Sequence, residues 1–368
     1  MISGNGDALL YGPDYLMAEN VVLVTINYRY SAFGFLSTND ENAPGNQGLK
    51  DIILALKWVQ ENISKFGGDK NKVTLFGHSA GSVAANYLMI SDLTDGLFHQ
   101  AILQSGASLM KCLSKANPLP SAEMLGKSLN LNFNSTKELV EELQKVDYKK
   151  IVEAERVLFS MKEPWGLETF DFAPSIDFSS PKNKVLVGKS AEEIFISKKY
   201  KKMPMMVGSP NFEGMFFNLF FGDPAVLDYY YKHPDFIVPE SYKLQPKTSE
   251  FNETIVAMRD LYFNGQEVGT LEEWLKMYSD YVFRYPSDRA VRFYAENSDT
   301  PIYYYDFTYE GSLNYFKNFF HLQFNGASHS DELFYIFKPE LPGFIPDVNS
   351  TLVRKRMTRM WTNFAKFG

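Results

Sequence analysis

The stretch VTLFGHSAGSVAANYL, Val73–Leu88, joins residues that suit a strand, a Gly-x-Ser-x-Gly, and a run that suits a helix. A serine at a sharp strand-to-helix turn projects its hydroxyl from the sheet edge, where a base can reach it. Gly77 and Gly81 are expected there because a Cβ at either position would crowd the turn. A helix starting at Ala80 would point its first N–H groups at negative charge developing beside Ser79. Alone, the pentapeptide also fits an ordinary tight βα turn, so its meaning depends on the rest of the chain.

Working outward, Asn20–Arg29 (NVVLVTINYR) reads as a strand buried on both faces of a parallel sheet. Downstream of it, Leu49, Ile52, Ile53, Leu56, Val59 and Ile63 fall near helical spacing, and Gly67 and Gly68 close that helix. Val73–Phe76 is the next strand, and HQAILQSG after the serine helix is another. This alternation predicts an α/β fold with a mostly parallel, doubly wound sheet. Pro204–Ser209 and Ile302–Tyr309 return to strand, while residues 107–200 and 239–297 read as helical insertions. The end of the chain, STLVRKRMTRMWTNFAKFG, is helical, and there is no internal repeat or linker. A single domain over residues 1–368 fits better than two independent ones.

Composition narrows the function. The 368 residues are 45% hydrophobic and carry a formal net charge of −7, which argues against a nucleic-acid partner. No apolar run reaches the roughly 18 to 20 residues of a membrane span. The N-terminus MISGNGDALLYG has no charged region followed by an apolar one, so it does not read as a signal peptide. Four Asn-x-Ser/Thr sequons, at Asn62, Asn134, Asn252 and Asn349, favour a secreted or luminal history for the parent protein, with the cytoplasm as the alternative. Cys112 is the single cysteine, so it is a free thiol or half of a bridge whose partner lies elsewhere.

A serine hydroxyl is a weak nucleophile unless a base takes its proton during attack, and the base needs an acid to orient it. Five histidines are available. His78 sits inside the turn, aimed away from the hydroxyl. His99 precedes a strand in a structural position, and His233 lies in a polar turn, YKHPDF. His321, in NFFHLQF, reads as a satisfied core histidine. His329, in the small-residue loop NGASHSDELFYIF after a Tyr-rich strand, is the preferred base. A zinc site built on His321 and His329 would lack a third ligand. For the acid, Glu213 follows the strand MPMMVGS in a turn and precedes Gly214, although a loop glutamate by itself is usually a solvated charge. Asp331 and Glu332 are nearer the histidine in sequence but too constrained locally to face its ring.

Several segments in combination, NYRYSAFGFLS, GNQGLKDIILALKWVQENISKFGGDKNKVTLFGHSAGS, AILQSG, VGSPNFEGMFF and GASHSDELFYIF, resemble the type-B carboxylesterase and cholinesterase family, especially insect esterases of the juvenile-hormone-esterase and detoxifying kinds. The resemblance implies an α/β-hydrolase fold and hydrolysis of small carboxylic esters through an acyl-serine. Its implied roles are Ser79 as nucleophile, Glu213 as acid and His329 as base, with the Ala80 N–H completing an oxyanion hole. No metal or organic cofactor is needed by this chemistry. The family's His-Gly-Gly-Gly-like oxyanion segment would lie upstream of Met1. The chain is therefore expected to be an internal piece of a longer esterase, lacking N-terminal strands and that segment. The same fold also supports catalytically silent binding or adhesion proteins, which is the competing reading, beside an inactive fragment. Trp165 and Phe172 are candidate walls of a substrate gorge.

Overall fold

The computed structural model describes residues 4–160, 170–180, 184–218, 228–229, 232–238, 242–340 and 345–368. Four parallel strands form one sheet in the order of the chain: β1 (Thr74–His78), β2 (Gln100–Gln104), β3 (Met205–Pro210) and β4 (Ile302–Phe307). The register pairs Gly77 with Leu103, Leu103 with Val207, and Val207 with Tyr304.

The central strands are buried along their whole length, with apolar residues at their centres, because both faces are covered. Side chains alternate across a strand, and Ala101, Leu103, Met205 and Val207 enter one core cluster while Ile102 and Met206 enter another. The first cluster receives α1 (Gln47–Asn62), α2 (Ala80–Met89), α3 (Leu271–Tyr278) and α4 (Tyr285–Asn297). The second is closed by α5 (Val348–Phe367), whose Met357, Trp361 and Phe364 pack beside Phe307 and the 333–337 turn.

Local chemistry explains several boundaries. In α1 the residues at helical spacing, Leu49, Ile52, Ile53, Leu56 and Val59, are the buried ones. A 3₁₀ turn through Phe66 follows and ends at Gly67, whose φ of +81° is a conformation glycine adopts without a Cβ penalty. Reciprocal capping boxes start the helix Ala191–Ser197 (Ser190 with Glu193) and α3 (Thr270 with Glu273). The helices expected in the first insertion include Leu119–Ser128, Thr136–Leu143 and Tyr148–Ser160.

Two expectations about the fold fail. Asn20–Arg29 is not a strand: a strand exists only with a ladder partner, and among the described residues no ladder joins this segment to β1 or to any other strand. Its Val22 and Val24 are 43% and 40% exposed, and its Arg29 is held by the Asp51 side chain instead. His321 is not a core histidine but an exposed residue with a φ of +51°, beside the exposed rings of Phe319 and Phe320. Of the two candidate gorge walls, Phe172 is buried in the larger core cluster and Trp165 lies outside the described residues.

Candidate active site

The sheet's C-terminal edge builds the site. Where β1 ends and α2 begins, Ser79 has φ +54° and ψ −123°, a backbone conformation that costs on the order of 1 to 3 kcal/mol for a residue with a side chain. The neighbouring ladder holds it there, since the Ser79 N–H donates to the Gln104 carbonyl at 2.8 Å. A Cβ on Gly77 would lie 2.3 Å from the Gly81 carbonyl oxygen, so the turn closes only around a glycine. Gly81 departs from expectation: a Cβ there would meet nothing within 4 Å. The crowding runs one way, with the backbone of Gly81 pressing on Gly77 while the Cα of Gly81 faces open space. Gly106 has a similar constraint, since its Cβ would fall 2.7 Å from the Ser79 carbonyl oxygen.

The loop after β3 carries Glu213, fully buried at the start of a 3₁₀ turn (Glu213–Phe217). The Gly214 N–H donates to Ser279 Oγ at 2.8 Å, and a Cβ on Gly214 would collide with the Leu275 carbonyl at 1.9 Å. This glycine lets the Glu213 turn press directly on α3. The loop after β4 brings His329. The two loops are laced together, because the Ala327 N–H donates to Asn211 Oδ1 at 2.9 Å and the Phe212 N–H to the Ala327 carbonyl at 3.1 Å.

These loops bring three side chains into line. His329 Nδ1 lies 2.6 Å from Glu213 Oε2, and His329 Nε2 lies 3.0 Å from Ser79 Oγ. With Nδ1–H donating to the carboxylate, Nε2 is left as the acceptor facing the serine hydroxyl. Three rings enclose the imidazole: His78 at 4.7 Å, Phe283 at 4.9 Å and Phe216 at 5.4 Å between centroids. Ser79 and Ala80 are half-buried rather than sealed in the core. The Ala80 N–H has no partner one turn back in its helix, as for any first helical residue.

The neighbouring acids serve the scaffold. Asp331 accepts from the backbone N–H groups of Ser328 (2.7 Å) and Lys317 (3.1 Å) and from Asn314 Nδ2 (3.3 Å), which fixes the loop carrying His329. Burial raises its carboxyl to about 6 against these hydrogen bonds. Glu332 is fully buried, its Oε1 accepting from Gln104 Nε2 at 3.1 Å, while Gln104 Oε1 accepts from Trp361 Nε1 at 3.1 Å. Burial and then the proximity of Glu213 push the Glu332 carboxyl well above the usual range.

The sequence marks His78 only as a turn residue and gives no sign of its packing on His329. Burial, then the positive charge His329 can carry, holds His78 well below the usual histidine range. The only signal in the sequence is its adjacency to Ser79. The remaining histidines sit apart: His99 Nδ1 accepts from the Val73 N–H at 3.3 Å, and His233 stacks by Tyr229 at 4.3 Å. Among the described residues no group of three or more His, Cys, Asp or Glu is arranged to hold a metal ion.

A parallel sheet with a serine at a strained strand-to-helix turn, faced by an imidazole and a carboxylate from later loops, defines an α/β-hydrolase. The chain belongs to the carboxylesterase family, whose family model matches residues 2–368. It is 34% identical to a juvenile hormone esterase of Tribolium castaneum, over all of this chain and 65% of that protein. It is 31% identical to esterase FE4 of Myzus persicae, over 99% of this chain and 64% of that one. Against the liver carboxylesterase of Sus scrofa the identity is 32%, over 99% and 63%. The chain thus spans a little under two thirds of the length of these relatives. The solved structure of juvenile hormone esterase from Manduca sexta, with OTFP covalently attached, superposes with a TM-score of 0.88 at 30% identity, covering 99% of this chain and 69% of that one.

Proposed function

We propose that this chain hydrolyses carboxylic esters through an acyl intermediate on Ser79. The observation that carries the reading is the continuous contact from Ser79 Oγ through the His329 ring to Glu213, with separations of 3.0 and 2.6 Å. As Ser79 Oγ attacks the ester carbonyl carbon, His329 Nε2 takes its proton. The carbonyl π electrons move onto oxygen, where the Ala80 N–H stabilises the negative charge. A single such donor contributes about 10² to 10³ in kcat. Collapse re-forms the carbonyl and expels the alcohol, which takes its proton from His329. Water then attacks the acyl-serine by the same route in reverse, releasing the acid and restoring the Ser79 hydroxyl. Glu213 fixes the ring tautomer and stabilises the imidazolium formed in each half-reaction.

The substrates are small, mainly apolar esters, in keeping with the aromatic rings of Phe216 and Phe283 beside the base. Sequons Asn134, Asn252 and Asn349 are exposed, which supports glycosylation of a secreted protein, whereas the Asn62 amide is engaged with the Trp58 carbonyl at 2.9 Å. Among the described residues no helix is long and apolar enough to cross a membrane.

Hydrolysis of p-nitrophenyl butyrate by the purified chain, beside Ser79→Ala and Glu213→Gln, tests the reading. Ser79→Ala should lower kcat by at least about 10⁴ and Glu213→Gln by about 10³ to 10⁴. Equal turnover by wild type and Ser79→Ala would overturn it.

A further inference from the structure

Apart from the triad, the chain holds a cavity of about 400 Å³ whose lining includes Leu109, Val282, Tyr242, Tyr281 and Tyr285. That volume lies within the roughly 300 to 1,000 Å³ usual for small-molecule pockets. Neither Ser79, Glu213 nor His329 lines it. The partition is the π-helical turn Ser279–Arg284: Val282 faces the cavity, while the ring of the next residue, Phe283, packs on His329 at 4.9 Å. π-helical turns often mark functional positions because the extra residue re-aims its neighbours.

The charge around this cavity runs against the chain's net charge of −7. Lys111, Lys243 and Arg289 line it, against Glu192 as the acid in the lining. Arg289 is committed, with its guanidinium 2.7 Å from Glu192 and set over the rings of Tyr285 and Phe293 at 5.8 and 5.6 Å. Lys111 Nζ approaches the same carboxylate only to 3.9 Å, which is no hydrogen bond. The combined cations hold the Glu192 carboxyl below its usual range, Arg289 contributing most and Lys111 and Lys243 less. With the Arg289–Glu192 pair neutral as a unit and Lys111 only loosely paired to the same carboxylate, the lining keeps an excess of positive charge beside three tyrosines. An apolar body with one terminal negative charge matches that arrangement.

We propose that this cavity is a second ligand site, which takes a small organic carboxylate, its aryl or short alkyl body against Tyr281 and Tyr285 and its carboxylate between Lys111 and Lys243. The half-buried Cys112 also lines the cavity, and as the chain's single cysteine it gives an independent way to block it.

The test is calorimetric titration of 4-phenylbutyrate into the full chain carrying Ser79→Ala, which separates binding from turnover and from the esterase reading. Saturable binding is expected, weakened about tenfold or more in a Lys111→Gln, Lys243→Gln double variant and abolished after N-ethylmaleimide caps Cys112. The neutral 4-phenylbutanol should bind about tenfold more weakly than the acid. Thermal melts of the variants establish that the protein titrated is folded; both lysines are solvent-exposed, so the melts should match. No binding at millimolar phenylbutyrate would overturn the proposal. So would equal binding of acid and alcohol, or acid binding that survives both the lysine double variant and the Cys112 cap.

Discussion

The imidazole of His78 lies 4.7 Å from that of His329, centroid to centroid, with the planes tilted by 37°. Burial disfavours a charged His78, and two imidazoles at this distance cannot both be imidazolium cations without strong repulsion. His78, next to Ser79, is thereby kept neutral whenever His329 is protonated.

That relationship predicts a stability difference with a definite sign. The His78 pKa is lowered in the folded state, so below about pH 6.5 the unfolded chain binds a proton that the native chain refuses. This contribution is fully present above 6.5 and is lost as pH falls toward the folded value. Thermal melts of wild type and His78→Gln between pH 8 and pH 5 should converge or cross, the variant losing less on acidification. Parallel curves would contradict this account of His78.

Glu332 predicts the opposite slope. Its folded pKa is raised, so its stabilising contribution is whole below the unfolded value of 4.5 and declines as pH rises through the folded one. A glutamine in its place would keep the neutral shape and remove the penalty of ionisation. Glu332→Gln should therefore melt at or above the wild-type temperature at pH 8, while Glu332→Ala, which strands Gln104 Nε2, should lose about 1 to 3 kcal/mol. A strongly destabilised Glu332→Gln variant would mean that the buried group is needed as an anion.

Asp331→Asn examines the loop that carries His329. At neutral pH the carboxylate accepts three hydrogen bonds, two of them from backbone N–H groups, and an amide would turn at least one of those contacts into donor against donor. A loss of about 1 to 3 kcal/mol in stability is expected. Esterase kcat should fall about 10- to 100-fold, as for a displacement of the base on the order of 1 Å. Unchanged kinetics would show that the loop holds His329 without Asp331.

The two elbow glycines should respond differently. Gly77→Ala places a Cβ against backbone at 2.3 Å and is expected to abolish folding or cost more than about 3 kcal/mol. Gly81→Ala meets open space inside a helix, so it should be neutral or stabilising by up to about 1 kcal/mol. Expression and melting of the pair check this, and equal damage from both would refute the one-sided packing of the turn.

The contrast between those glycines also shows what the sequence could carry. Strands β2 and β3 were legible because both faces are buried, which leaves the short apolar runs Ala101–Leu103 and Met205–Val207 at their centres. Helix α1 was legible from its spacing, and the convergence of Ser79, Glu213 and His329 from their order and loop contexts. The role of Gly81 was not, because crowding at a turn is set by which backbone presses on which. His321 misled for a related reason: its neighbours Phe319 and Phe320 are aromatic yet exposed, at 59% and 37%, and an apolar neighbour in sequence does not ensure burial. The segment Asn20–Arg29 has strand-like composition, but pairing depends on a partner that composition cannot supply. The Glu332–Gln104–Trp361 chain joins residues from three distant parts of the sequence, with no local pattern to announce it.

The central claim is that Ser79 is assembled as an activated nucleophile. The most direct measurement is treatment of the folded chain with a fluorophosphonate probe, beside Ser79→Ala and His329→Gln, with the modified residue located by mass spectrometry. Modification at Ser79 is predicted, with none in Ser79→Ala and a rate lowered by several orders of magnitude in His329→Gln. A folded wild-type chain left unmodified, or labelled equally well without His329, would contradict it.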